Sequence, residues 1–374
     1  MKIQRIKIER MKIERMENME RENILEIKDL DVRLFTERGE LPVIDRLNLT
    51  LRAGETLGIV GESGCGKSML ASAIMGLVAR PGKVTGGEIL FGRDEKQDLT
   101  KMSAKELRRI RGTGISMIFQ EPMTSLNPLM SCGRQIVETI VAHEKIGRAE
   151  AKARAISIIR SVGIQRPEKV YGEVPAQLSG GMRQRIMIAM ALVCNPELLI
   201  CDEPTTALDV TVQAQILGLI RRLQREKKTS VVFISHDMGV ISQMADRVAV
   251  MYAGQLVEYA QAEAIFTRPL HPYTQGLQAA IPKMNEKKDS LESIPGNVPM
   301  LYELPKGCIF SPRCAYATDR CRSERPQIVE ADGHRVRCFL YEQGGDAQRR
   351  EMKAIDTSET KIENKKKVGE EGEG

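Results

Sequence analysis

The stretch LGIVGESGCGKSMLASAIMGLV, residues 57–78, contains the features that decide the fold. Its first residues have the composition of a buried strand, and its last ones have the spacing and the Ala, Met and Leu content of a helix. Between them, the eight residues from Gly61 to Ser68 match the pattern of a phosphate-binding loop. A strand, a glycine-rich turn and a helix in this order predict the opening unit of a nucleotide-binding α/β fold.

The residue types in this loop fit the phosphates of a nucleotide. Glycines let backbone N–H groups converge on β- and γ-phosphate oxygens, at the positive end of the following helix. Lys67 supplies a mobile positive charge, and the Ser68 hydroxyl is placed to bind Mg²⁺. The predicted nucleotide-binding residues of this segment are Gly61, Glu62, Ser63, Gly64, Cys65, Gly66, Lys67, Ser68 and Met69.

A second motif lies downstream, where the apolar run Leu198–Cys201 ends in the two acids Asp202 and Glu203. Asp202 is predicted to hold the Mg²⁺ ion, directly or through water. Glu203 points the other way, because successive side chains of a strand alternate in direction. We therefore predict that Glu203 orients or deprotonates the attacking water.

Composition limits the other classes of function. The 374 residues are 42% hydrophobic and 28% charged, with a formal net charge of +6. These values are typical of globular proteins and exclude collagen-like, mucin-like and wholly disordered chains. No apolar stretch approaches the ~18 residues of a membrane span, and the N-terminus lacks the apolar core of a secretory signal. The small, dispersed basic excess does not indicate nucleic-acid binding. We expect a cytosolic protein.

The rest of the chain alternates strand-like and helix-like segments. Strand-like runs include ILEIKDLDVRLF (24–35), GISMIFQ (114–120) and TSVVFISHD (229–237), and helical periodicity extends from about Leu129 to Val170. Such alternation predicts an α/β fold with a mainly parallel sheet that helices cover on both faces.

The segment LSGGMRQ, residues 178–184, narrows the class further. It is a second glycine-rich helix start with no lysine of its own, which suits an anion held by another group. These residues resemble the LSGGQ signature of the ABC ATPase family, with Met182 in place of the usual Gln. Other family motifs follow the family order: Gln120 at the Q-loop position, Ala207-Leu208-Asp209 at the D-loop and His236 at the switch histidine.

The resemblance covers about residues 24–270 and implies an ABC-type P-loop ATPase that binds ATP and Mg²⁺. It implies a RecA-like core, an antiparallel β subdomain and a helical subdomain at about 122–190. In the family, the signature binds the γ-phosphate of ATP held by the opposite subunit of a head-to-tail dimer. The resemblance thus implies nucleotide contacts from Ser179, Gly180, Gly181, Gln184 and Asp209.

The resemblance also assigns roles inside the site. Glu203 and His236 are the implied catalytic residues, and His236 would contact the γ-phosphate. Ser68, Gln120 and Asp202 are the implied Mg²⁺ ligands. By spacing, the adenine-stacking residue falls near Arg38, whose guanidinium plane can stack on a base, with Phe35 as the nearby alternative.

Two further segments resemble one branch of the family, the ATP-binding subunits of dipeptide and oligopeptide permeases. They are QEPMTSLNP (120–128) and HPYT (271–274), the latter followed by PGNVP (295–299). The branch implies a peripheral protein at the cytoplasmic face of the membrane. Its implied partners are a second ATPase subunit, two transmembrane permease subunits and, indirectly, an extracytoplasmic peptide-binding protein. Nickel or sugar import within the branch, and a soluble ABC ATPase of translation or regulation, remain the alternatives.

Four of the eight cysteines, Cys308, Cys314, Cys321 and Cys338, lie close together, separated by five, six and sixteen residues. In a reducing cytosol, such a cluster indicates metal binding before disulfides. Structural zinc sites usually contain tight C-x₂₋₄-C pairs, which this segment lacks. A 4Fe–4S cluster also takes four thiolates and tolerates wider loops, and similar cysteines occur in the permease branch. We predict a 4Fe–4S cluster, with Zn²⁺ as the alternative.

Together these patterns predict four regions. They are a charged N-terminal extension (1–22), an ABC ATPase domain (23–270), a small C-terminal domain with the cysteine cluster (271–343) and a charged, disordered tail (344–374).

Overall fold

The computed structural model describes residues 22–37, 39–93, 95–121, 125–206, 208–281 and 294–342. Two compact units divide the chain, Met1–Gln255 and Leu256–Gly374. The second unit therefore begins earlier than residue 271, the boundary expected from the sequence. The predicted tail and all but the last residue of the predicted N-terminal extension lie outside the described residues.

An antiparallel sheet forms the first part of unit 1. Its strands are β1 (Asn23–Thr36), β2 (Gly39–Arg52), β4 (Gly82–Phe91) and β5 (Gln97–Asp98), in the order β2-β1-β4-β5. Ile24, Leu30 and Val32 of β1 are fully buried, while other side chains of the strand reach solvent. One buried and one partly solvated face is the usual state of an antiparallel sheet.

The central sheet of unit 1 is parallel. Its strands are β3 (Thr56–Val60), β6 (Ile115–Ile118), β7 (Leu198–Asp202), β8 (Ser230–Ser235) and β9 (Arg247–Tyr252), in the order β9-β3-β8-β7-β6. Every residue of β3, β7 and β8 is buried, because helices cover both faces of such a sheet. Parallel strands end at the same edge, so the residues that follow β3, β7 and β8 come together there.

The helices of unit 1 are distributed among its strands along the chain. They are α1 (Lys67–Ile74), α2 (Ala104–Ile110), α3 (Cys132–His143), α4 (Arg148–Ser161), α5 (Pro167–Gly172), α6 (Gly180–Leu192), α7 (Val210–Lys227) and α8 (Met238–Met244). Helices α3, α4 and α5 pack against one another. Gly133 allows α3 to approach the ring of Tyr171 on α5, since a Cβ there would lie 2.0 Å from a ring carbon. These helices lie in the segment expected for the helical subdomain.

Unit 2 combines short helices with a small antiparallel sheet. Its elements are β10 (Gln255–Gln261, whose first residue belongs to unit 1), α9 (Ala262–Thr267), α10 (Pro272–Ala279), α11 (Asp319–Ser323), β11 (Val329–Ala331) and β12 (His334–Val336). Strand β12 pairs with both β10 and β11. The turn between β11 and β12 is Asp332-Gly333, with φ of 50° and 80°, as a two-residue hairpin turn requires.

No helix in the described ranges combines the length and the apolar composition of a membrane span.

Candidate nucleotide site

The loop between β3 and α1 has the backbone of a phosphate cradle. Gly66, at the start of α1, has a φ of 99°, which favours glycine. A Cβ on Gly61 would lie 2.2 Å from the Met251 carbonyl oxygen, so only glycine fits there. The Cys65 side chain is fully buried beneath the loop, and burial raises the pKa of its thiol. Its contribution to a ligand is therefore limited to its backbone.

Lys67 belongs to this loop through its side chain as well. The residue is only 5% exposed, and its Nζ donates hydrogen bonds to the carbonyl oxygens of Gly61 at 2.7 Å and Glu62 at 3.1 Å. These carbonyls provide the negative charge density that a buried ammonium requires. The ammonium is thus held within the loop by neutral carbonyl oxygens. Charged phosphate oxygens would accept stronger hydrogen bonds from it than these carbonyls do.

Two side-chain oxygen atoms, one at the end of the loop and one beside it, lie in positions that suit a magnesium ion. The Ser68 hydroxyl donates to Asp202 Oδ1 at 3.1 Å, although 134 positions separate them. Burial raises the pKa of Asp202, and the charge of Glu203 raises it further. A hard cation would favour the ionised carboxylate, so this hydroxyl and carboxylate fit Mg²⁺.

Glu203 has an unusual conformation directly after β7. Its φ is 46°, in the left-handed region that non-glycine residues seldom adopt and that concentrates at functional sites. Gln120 Nε2 donates to its Oε2 at 3.3 Å, and His236 Nδ1 lies 3.2 Å from the same atom. The structure therefore brings Gln120, Glu203 and His236 together at the edge of the sheet.

One partner of Glu203 was not predicted from the sequence. Thr206 Oγ1 donates to Glu203 Oε2 at 3.0 Å. Threonine in a turn after an acidic motif gives no distinctive sequence signal, since hydroxyl residues are common in turns.

The signature segment forms the N-terminus of α6. Ser179 is the N-cap, and its Oγ accepts from the Met182 N–H at 3.4 Å. Ser179 and Gly180 are exposed, as an anion-binding helix start requires. Gln184 differs from the expectation: it is 2% exposed and donates to the Pro204 carbonyl at 2.6 Å. Because it lies on the inner side of α6, it links the signature helix to the turn after Glu203 instead of joining the exposed group.

The remaining predicted residues occupy simpler positions. Asp209 caps α7, and its Oδ1 accepts from the Val212 N–H at 2.9 Å. Ser63 and Gly64 are exposed on the loop, and Met69 is partly buried in α1. Arg38, predicted to stack on the base, lies outside the described residues, as does Ala207 of the D-loop motif. Phe35, the alternative, is described and is 48% exposed.

The four clustered cysteines line a single cavity in unit 2, together with His271, Pro272 and Phe310. Burial, together with the neighbouring thiols of the cluster, raises the pKa of Cys314 to about 11 and that of Cys338 to about 12. No group of three or more His, Cys, Asp or Glu side chains in the described ranges has the arrangement of a metal site. Of the predicted cysteine-cluster domain, the described residues therefore show four thiols that line one cavity, without the arrangement of a metal site.

Comparison with known proteins supports these observations. The family model for ABC transporters matches residues 44–206, and the model for the C-terminal region of oligopeptide/dipeptide transporters matches residues 257–321. A solved dimer of the ATP-binding cassette MJ0796, bound to ADP and Pi, is 26% identical with a TM-score of 0.57. The match covers 64% of this chain and 98% of the MJ0796 chain.

Curated relatives match over nearly their whole length. The oligopeptide transport ATP-binding protein AppD of Bacillus subtilis is 47% identical over 87% of this chain and 99% of its own. OppD of Haemophilus influenzae is 50% identical over 85% and 97%, and the dipeptide transport ATP-binding protein DppD of Escherichia coli is 47% identical over 84% and 96%. The resemblance inferred from the sequence is confirmed: this chain belongs to the oligopeptide and dipeptide transport ATP-binding proteins, a family with the ABC ATPase P-loop fold.

Proposed function

We propose that this chain hydrolyses ATP to energise the import of dipeptides or oligopeptides through a membrane ABC permease. The observation that carries the proposal is a combination within one chain. Residues 257–321 match the C-terminal region of peptide transporters, and unit 1 brings together a phosphate loop, a Ser–Asp pair and a glutamate bonded to Gln and His.

Binding would begin at the loop of residues 61–68. Its backbone N–H groups and the N-terminus of α1 receive the β- and γ-phosphates. Lys67 exchanges the carbonyl oxygens of Gly61 and Glu62 for phosphate oxygens. Ser68 and Asp202 hold Mg²⁺, which when bound neutralises charge on the phosphates. Gln120 is proposed as a further ligand from the neighbouring loop, and Phe35 or Arg38 as the group beneath the adenine.

Hydrolysis would depend on Glu203. Its carboxylate orients the attacking water and accepts its proton, while His236 and Gln120 contact the γ-phosphate side. Because all three already meet at Glu203 Oε2, small rotations can redistribute their hydrogen bonds when nucleotide binds.

Completion of the site would require a second ATPase subunit. Helix α6 begins after Ser179, which is exposed like Gly180, whereas Gly181 is half-buried. This helix start can receive the γ-phosphate of ATP bound by a partner subunit. The solved cassette MJ0796 is itself described as a dimer. We propose a head-to-tail pair with a different ATPase of the same family, in which Asp209 lies at the junction.

Docking on two transmembrane subunits would use the helical segment next to Gln120. Leu129 is 92% exposed, and Phe119 and Val141 are also well exposed. Gln135 fixes the loop that carries Leu129, because its amide accepts from the Asn127 N–H at 2.9 Å and donates to the Asn127 and Met130 carbonyls. Contiguous patches of exposed apolar side chains mark protein interfaces, and we propose that Leu129, Phe119 and Val141 contribute to such a patch. This docking places the protein at the cytoplasmic face of the membrane.

The cysteine cavity would hold a 4Fe–4S cluster, with Zn²⁺ as the alternative. The chemistry of the donors supports this proposal, since Cys308, Cys314, Cys321 and Cys338 line one cavity and both centres take four thiolates; the thiols would have to shift, because their described positions do not form a metal site. Burial raises the pKa of Cys308, and the nearby charge of Arg337 opposes this shift without reversing it. The group, when bound, neutralises the thiolates that this cavity would otherwise disfavour.

Reconstitution tests the proposal directly. The chain is purified with its two membrane subunits, its ATPase partner and the peptide-binding protein, and placed in liposomes. Uptake of a labelled dipeptide should require ATP and should disappear with Glu203→Gln. Nickel or sugar uptake in place of peptide uptake would overturn the substrate class. Isolation with ribosomes and without membrane subunits would overturn the transport role.

A further inference from the structure

Thr206 contacts Glu203 through both its backbone and its side chain. The Thr206 N–H donates to the Glu203 carbonyl at 3.2 Å, and its Oγ1 donates to Glu203 Oε2 at 3.0 Å. One residue therefore fixes the turn after β7 and the direction of the carboxylate that this turn presents.

The conformation of Glu203 explains why such bonds are needed. A φ of 46° places a non-glycine residue in a sparsely populated region, which persists only where surrounding bonds over-determine it. The Glu203 N–H donates to the Ile234 carbonyl at 3.1 Å, and this bond anchors the start of the turn to β8. Thr206 anchors its other end.

The three side chains that contact Glu203 Oε2 in the described part of the chain differ in their other roles. Gln120 and His236 come from separate loops, and the proposed function assigns both to the nucleotide side of the site. The His236 side chain is 60% exposed, whereas that of Glu203 is 14% exposed. Thr206 lies three residues from Glu203 in the same turn, so its bond does not depend on movements of those loops.

We propose that Thr206 is a positioning residue for the proposed catalytic glutamate. Its hydroxyl holds Oε2 while Gln120 and His236 exchange their bonds for contacts with bound ATP, and the carboxylate thereby keeps its orientation towards the attacking water. The inference rests on the proposed function, because it gives Thr206 an effect only through Glu203.

Substitution of Thr206 by Val removes the hydroxyl and retains the side-chain shape. A hydrogen bond to a charged group contributes enough to expect a fall of about tenfold in kcat, with the KM for ATP unchanged. Thr206→Ser should retain most of the activity, since the donor is kept. Thr113→Val is a matched control, because its hydroxyl donates to a helix carbonyl, that of Arg109. The kcat and KM of every variant are measured in the assembled transporter. The amount of bound ATP and the melting temperature are measured on the same preparations.

A double-mutant cycle separates positioning from a merely structural role. In the Glu203→Gln background, Thr206→Val should lower the residual single-turnover rate by less than twofold, because the group it positions has lost its function. A full additional tenfold loss there, or wild-type kcat in Thr206→Val, would overturn the inference. Thr206→Ala gives the same comparison if the Val variant does not fold. Failure of the wild-type complex to hydrolyse ATP would overturn the proposed function instead.

Discussion

The nucleotide site and the cysteine cavity differ in the charged and ionisable groups that they bring together. In the nucleotide site, complementary groups already meet: the Lys67 ammonium binds loop carbonyls, and the Ser68 hydroxyl binds Asp202. In the cysteine cavity, four like groups meet, and burial together with neighbouring thiols raises the pKa of Cys338 to about 12. A chain can therefore preform a phosphate site with its own atoms, whereas a thiolate site requires a cation to complete it.

The largest expected effect is at Glu203. Glu203→Gln should lower ATP turnover by about 10²- to 10³-fold, because general-base catalysis contributes about that much. ATP affinity should be retained, since the phosphate loop and the Ser68–Asp202 pair are unchanged. Steady-state hydrolysis measures the turnover, and equilibrium ATP binding measures the affinity. Glu197→Gln, an exposed acid at the other end of β7, is the control. Equal loss of binding and turnover would contradict the assigned role.

The cysteine cavity should respond without affecting ATP. Cys314→Ser or Cys321→Ser should remove the iron of an anaerobically prepared protein, about four atoms per chain for a cubane, together with its brown colour. ATP binding should persist in both variants. Cys194→Ser, a buried thiol of unit 1, should leave the colour unchanged. A colourless wild-type protein with one zinc per chain would assign the cavity to zinc.

A smaller effect is expected at Glu258, the buried acid of unit 2. Its carboxylate accepts from the Leu270 N–H at 2.8 Å and the His271 N–H at 2.9 Å, and His334 Nδ1 lies 2.7 Å away. These hydrogen bonds lower its pKa despite burial, which acts in the opposite direction.

Glu258→Gln turns an amide group towards one of these donors and should destabilise unit 2 by about 3 kcal/mol. Denaturant unfolding followed by circular dichroism measures the change. Glu330→Gln, on the exposed side of β11, should change stability by less than about 0.5 kcal/mol. Similar stabilities of the two variants would show that the buried carboxylate does not organise unit 2.

The smallest effect concerns pH and His271. Burial lowers the pKa of His271 from 6.5 to about 4, with the charge of Glu258 acting against it. Between these values the unfolded chain binds a proton that the folded chain does not, so stability falls as pH decreases through this window. From pH 7 to pH 5 we expect a loss of about 2 kcal/mol from this group.

His271→Asn isolates this contribution. His271 Nδ1 accepts from the Tyr273 N–H at 3.0 Å at the start of α10, and asparagine can retain that cap without titrating. The difference in unfolding free energy between the two pH values should shrink in the variant. An unchanged difference would exclude His271 as the source.

The conformation of the phosphate loop can be predicted from the sequence because its motif is local, whereas the nucleotide contacts of the individual residues stay predictions. A strand, a glycine loop and a helix start determine the cradle within a dozen residues, and chemistry dictates Lys67 and Ser68. The meeting of Ser68 with Asp202 depends on strand order, which the family resemblance implies and which neither local segment contains.

Non-local packing accounts for what the sequence did not predict. Gln184 follows the signature glycines, yet helical rotation turns it inward to the Pro204 carbonyl. Unit 2 begins at Leu256 because β10 pairs with β12, where Glu258 aligns with Val336, 78 positions later in the chain. Register between distant strands follows from tertiary packing, and a short apolar run such as β10 gives no sign of its partner.

The nucleotide retained by the Glu203→Gln protein tests the central claim most directly. The variant is incubated with ATP and Mg²⁺, passed rapidly through a desalting column, and its bound nucleotide is identified by chromatography. If the loop of residues 61–68 binds ATP and Glu203 is the group required for its cleavage, the retained nucleotide should be ATP, whereas wild-type protein should retain ADP or none. Recovery of ADP from the variant in the wild-type proportion would contradict the account.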